Sequence, residues 1–105
     1  ELVRAALDDD RPPRIAYQSR SGSPRDPWLE PDINDVLREE ARHGTGAVVV
    51  SPLGFVCDHV EVLYDLDVEA AATAQELGIA FARARSPNAH PGFIEALADA
   101  VRAAP

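Results

Sequence analysis

A chain of 105 residues with a single cysteine makes one domain, long enough to bury roughly 60 to 70% of its unfolded surface and so to hold a core without disulfides. Its formal charge of −8, with ten basic residues that are all arginines spread along the chain, argues against nucleic-acid and anionic-membrane partners, because phosphate binding needs a basic face. The absence of any long apolar run or signal-peptide pattern predicts a soluble chain in a reducing compartment, the cytoplasm.

The chain contains no methionine and opens on Glu1, which predicts a processed chain or one cut from something longer. Leu2, Val3, Ala6 and Leu7 have helical spacing and read as the tail of a helix, ended by Asp8-Asp9-Asp10 and Pro12-Pro13. Residues 14–19, with Ile15, Ala16 and Tyr17 between prolines and a Ser-Gly turn, read as a first strand. Residues 20–31 form a loop, since Pro24, Pro27 and Pro31 each remove a backbone donor. Asp32 is an N-cap for an amphipathic helix carrying Ile33, Val36, Leu37 and Ala41, which stops at Gly44. The unbroken valine run in 47–51 suits a central parallel strand covered on both faces. A helix from Asp58 to Leu77 ends at Gly78, a third strand occupies 79–83, and a last helix over 92–103 places Phe93, Ile94, Leu97 and Val101 on one face. Alternating strands and helices predict a three-layer α/β/α unit around a parallel sheet, a Rossmann-like half domain.

In such sheets chemistry sits beyond the carboxyl ends of the strands. The loops there carry Arg20, Trp28, Phe55, Asp58, His59, Asn88 and His90, which are expected on one edge, and residues 48–67 are expected to hold the site. Glu61, Asp65 and Glu69 drift about 40° per step on a helix and line one face. That face is either a solvated acidic flank opposite a core stripe of Val60, Leu63, Tyr64, Ala70, Ala71 and Ala74, or a functional row. Asp67 falls inside the apolar stripe of a regular helix; either it is buried with partners, or the register slips at a π-type turn between 58 and 67. His59 beside Asp58 reads as a local hydrogen-bonded pair or as an acid, base or ligand. Trp28 and Phe55 are half-buried anchors or flat walls for a flat ligand. No pair of histidines has zinc-motif spacing and Cys57 stands alone, so neither a zinc site nor a cysteine-ligated iron–sulfur cluster can be completed here. No Gly-rich phosphate loop follows a strand.

Tyr17-Gln18-Ser19-Arg20-Ser21-Gly22, Pro27-Trp28-Leu29-Glu30-Pro31, the run from Pro52 through Cys57-Asp58-His59-Val60-Glu61 to Asp67, and Asn88-Ala89-His90-Pro91-Gly92-Phe93 together closely resemble the C-terminal third of ferrochelatase, in wording similar to actinobacterial members. The resemblance covers residues 1–105 as one C-terminal, chelatase-like α/β domain of a longer enzyme. It implies insertion of Fe²⁺ into a porphyrin, coproporphyrin III or protoporphyrin IX, with coproporphyrin III expected for actinobacterial members. Glu61 is implied as the catalytic acidic residue that faces an essential histidine, Asp65 and Glu69 as the rest of a metal-handling acidic line along a π-helix, and Trp28, Phe55, Arg20 and Ser21 as porphyrin-binding. Asp58 and His59 are implied as support around the pocket. The essential histidine belongs to the family's N-terminal half, and His43, His59 and His90 do not match its motif. The isolated chain is therefore expected to be inactive and to require no cofactor, with iron as substrate. Two alternatives stand beside this: a half-size class II chelatase acting as a homodimer, and a non-catalytic domain.

Overall fold

The computed structural model describes residues 5–6, 11–20, 22–23 and 25–104. Most of the expected helix tail at 1–7 lies outside the described residues, although Ala5 and Ala6 have helical backbone. Helix α1 (Ile33–Arg42) starts where its cap predicted: Asp32 is extended, and its carboxylate accepts the Asn34 N–H at 2.8 Å, satisfying a donor that every helix start leaves free. Ile33, Val36 and Leu37 are buried. Gly44, at φ +81°, turns the chain out of the helix in a conformation that a Cβ would strain.

Strands β1 (Ala47–Val50) and β2 (Ala80–Arg83) pair in parallel, with Ala47 opposite Ala80 and Val50 opposite Arg83. A continuous helical crossover joins them, built from α2 (Val60–Val62), a π-helical segment (Leu63–Ala70) and α3 (Ala71–Glu76). Helix α4 (Pro91–Ala103) follows, and the His90 ring caps it by accepting the Gly92 N–H at its Nδ1, 3.2 Å away. The core joins Ile33 and Leu37 of α1 to Val62, Leu66, Ala70 and Ala74 of the crossover and to Ile79, with Val48, Val50 and Phe81 packed against them. A hydrogen bond from Thr73 Oγ1 to Asn34 Oδ1, 2.8 Å, ties α1 to α3. The architecture is thus α/β with a parallel sheet and a π-helix, as expected of a chelatase-like half domain.

Two expectations are corrected. Residues 14–19 form no strand: the Tyr17 N–H bonds Pro31 O and the Ile33 N–H bonds Tyr17 O, each at 2.9 Å, making one isolated parallel bridge to Asp32. Tyr17 spends its backbone groups on the entry to α1, and Ser19 at φ +62° then ends the extended run. Nor is β1 covered on both faces. Val49 is 76% exposed, and α4 buries no residue, so among the described residues the second helical layer is not closed. The radius of gyration, 16.1 Å, agrees, since a compact chain of this length has about 13 Å.

Candidate active site

The buried positions of the crossover are Val62, Leu66, Ala70 and Ala74, a strict spacing of four. On a regular α-helix this row would swing by about 40° at each step. The wider π winding of Leu63–Ala70, with its i to i−5 bonds, brings the turn closer to about 90° per residue and reduces that swing in the middle of the row, from Leu66 to Ala70. Glu61, Asp65 and Glu69 share that spacing one position earlier, along the flank of the core row, with Glu61 in α2 and Asp65 and Glu69 in the π segment. The π segment begins at Leu63 rather than near 58, because His59 is still extended at φ −102°, ψ 174°. The expected core stripe is corrected accordingly: Val60, Leu63 and Tyr64 are exposed, while Val62 and Leu66 are buried. A wheel drawn at about 100° per residue assigned them to the wrong face.

Asp67 shows the slipped register its position called for, but it is not buried: its side chain is 40% exposed. It lies within the π segment, and it has a partner, Arg83 at the carboxyl end of β2. Arg83 Nε donates to Asp67 Oδ1 at 2.6 Å and its Nη2 to Oδ2 at 2.9 Å, while Nη1 reaches Asp58 Oδ1 at 2.8 Å. Asp58 also accepts from Asn88 Nδ2 at 3.0 Å and from the Ser86 N–H at 3.1 Å. These donors, Asn88 first, hold the Asp58 carboxyl down at about 2, well below its usual range. Asn88 sits at φ +49°, which its short polar side chain tolerates, and its Oδ1 accepts the Asp58 N–H at 2.8 Å. The expected pair of Asp58 with His59 is therefore replaced. Asp58 turns to the β2 end and its following loop, and His59 sets its ring edge-on to Phe55, centroids 4.6 Å apart at 76°.

Asp65 and Glu69 open on a recess of about 240 Å³ that Gln18, Ser19, Arg20, Asp32, Ile33 and Asn34 also line; Glu61 is not among its lining residues. Ser19 Oγ donates to Asp65 Oδ2, and Arg20 Nη2 donates to Asp26 O at 2.6 Å within its own loop. A second, wider recess is lined by Arg85, Ser86, Pro87, Asn88, Ala89, His90 and Phe93. The loop residues expected on one edge are thus divided: Arg20 belongs to the first recess, and Asn88 and His90 to the second. Glu61 is exposed, Trp28 is 37% exposed and Phe55 is half-buried; Ser21 lies outside the described residues. Among the described residues no three His, Cys, Asp or Glu side chains converge to hold a metal ion. Glu61, Asp65 and Glu69 form a file of separate carboxylates rather than a cage, and such a file suits a hydrated cation in passage.

Sequence reasoning did not single out Ser19 or Arg83. Ser19 carries no local signal. Arg83 had an indirect one, since an acid stranded in an apolar stripe calls for a cation, and Arg83 stands at the end of the strand that the crossover leads into.

Residues 1–104 match the family model described as Ferrochelatase. Similar curated proteins include the coproporphyrin III ferrochelatases of Propionibacterium freudenreichii subsp. freudenreichii, 59% identical over 86% of this chain and 26% of the relative, and of Mycolicibacterium smegmatis, 58% identical over 81% and 25%. That of Streptomyces coelicolor is 52% identical over 96% of this chain and 27% of its own length. The chain spans about a quarter of the length of these relatives.

Proposed function

The chain belongs to the ferrochelatase family, and from that premise we propose that it forms the C-terminal part of a longer cytoplasmic enzyme that inserts Fe²⁺ into coproporphyrin III. What supports this reading is the four-residue spacing of Glu61, Asp65 and Glu69 along one continuous helical crossover, with Glu61 in α2 and Asp65 and Glu69 in the π segment (Leu63–Ala70). The reaction replaces two pyrrole N–H protons by Fe²⁺, releases two H⁺, and strips water from the cation. Carboxylates suit each part of that chemistry: they bind a hydrated divalent cation loosely enough to pass it on, and they accept protons. Glu61, at the head of the row and nearest in sequence to the loop carrying Phe55, is the proton acceptor on this reading. Asp65 and Glu69 conduct the cation or the protons along the file.

Phe55 and Trp28 supply flat apolar surface to a flat macrocycle, with Arg20 and Ser21 as polar contacts at its rim. Asp58 and His59 hold the loop in place, through Arg83 and Asn88 for the first and through Phe55 for the second. Iron is a substrate in transit here, not a resident cofactor. The test is Fe²⁺ insertion into coproporphyrin III by the full-length enzyme, followed by loss of porphyrin fluorescence. Turnover by the parent and its loss in Glu61→Gln are expected; a Glu61→Gln enzyme at the parental rate would remove Glu61 from the chemistry.

A further inference from the structure

We propose that Arg83 is a positioning residue for the metal row: forked between Asp58 and Asp67, it holds the π register that keeps Glu61, Asp65 and Glu69 in line. The inference rests on the reading of that row as the metal-handling element. Arg83 is the last residue of β2, and its side chain is only 9% exposed. Bonds to Asp67 Oδ1 and Oδ2, Asp58 Oδ1 and Ala84 O occupy four of the five donors a guanidinium carries. One buried, planar cation therefore ties together the chain just before the crossover, the middle of its π segment and the end of the sheet.

The fork discriminates between registers. Between Glu61 and Asp67 the π winding covers the four steps from Leu63 to Asp67, so changing it from about 90° to about 100° per residue would rotate one against the other by about 40°. Asp67 lies on the flank opposite the acidic row. Reversion to α-helix would thus swing Asp67 off the guanidinium or pull Glu61 and Asp65 out of line with Glu69. A bidentate pair is sensitive to such a rotation, because both oxygens must stay in the plane of the donors. Lysine would keep the charge and lose that plane.

The test compares Arg83→Gln, Arg83→Lys and Asp67→Asn in the full-length enzyme. The expected result is a drop of about 10- to 100-fold in kcat/KM for the metal, the range for groups that orient metal-handling residues, with KM for the porphyrin within about twofold of the parent. Amide hydrogen exchange across residues 63–70 should speed up by on the order of tenfold in the same variants. Arg83→Lys should not rescue, and it carries the test if Arg83→Gln lowers the folded fraction. Parental exchange in Arg83→Lys, or a loss that falls equally on metal and porphyrin, would overturn the proposal. If the parent itself inserts no metal, the functional reading fails, while the exchange measurement still decides whether Arg83 holds the π register.

Discussion

Ser19 and Asp65 are hydrogen-bonded across 46 residues of sequence, the Ser19 hydroxyl donating to the Asp65 carboxylate. The bond joins the extended segment before α1 to the π segment, and it fixes the middle member of the acidic row from outside the helix. Ser19 adopts φ +62° where it makes this contact, a conformation that a non-glycine residue keeps only when its surroundings hold it there.

Ser19→Ala removes the donor and leaves the backbone geometry in place. A hydrogen bond to a charged group contributes about 1.5 to 3 kcal/mol, and partial exposure places this one near the lower end. Urea denaturation of the full-length enzyme should show a loss of about 1 to 2 kcal/mol. An unchanged midpoint would mean that water replaces the hydroxyl without cost.

Asp58 gives a pH prediction with a definite sign. Its carboxyl is lowered from 3.8 to about 2, by Asn88 first and then by the Ser86 backbone, with Arg83 adding to the effect. A depressed carboxyl contributes stability that is fully present above its unfolded value and is lost as pH falls through the folded value. The window therefore runs from about pH 4 down to about pH 2. In Asp58→Asn this component is absent, so the stability gap between parent and variant, measured by denaturant unfolding at a series of pH values, should narrow across that window. A gap that widens with acid would contradict the assignment.

Along the acidic row the cost of neutralisation should be graded. Glu61→Gln keeps size and hydrogen-bonding capacity but loses basicity, and the loss of such a group typically lowers kcat by about 10²- to 10⁴-fold. Porphyrin binding should stay near parental, because the side chain acts in the chemical step. Asp65→Asn and Glu69→Gln should cost less, appearing first in the metal dependence. Equal losses at all three positions would point to a single shared metal site instead of a file.

The isolated 105-residue chain should insert no metal above the uncatalysed rate. It should also associate with itself, since Val49, Leu53, Val60 and Val101 are each at least 75% exposed and apolar surface of that kind drives association. Sedimentation of the purified chain should show species heavier than 11.3 kDa. A clean monomer with no insertion activity would retain the first expectation and remove the second; robust insertion would favour a self-sufficient half-size chelatase.

Much of the architecture is legible in local signals. Asp32 sets the start of α1, Gly44 and Gly78 stop their helices at positive φ, and the valine run marks β1, because capping and turn chemistry act within about four residues. The four-residue spacing of Glu61, Asp65 and Glu69 is likewise visible in the residues themselves, and Asp67 betrays a non-α register without showing its cause. What only the tertiary structure decides are pairings made by closure of the chain. Asp67 meets Arg83 over 16 residues and Ser19 meets Asp65 over 46, and no periodicity reaches that far. The same holds for Arg14 to Ser19, whose composition fits a strand equally well whether its backbone pairs with β1 or, as here, spends its bonds on Pro31 and Ile33. Strand propensity describes a side chain that suits a pleated surface; which edge is free to receive it is a property of the assembled fold.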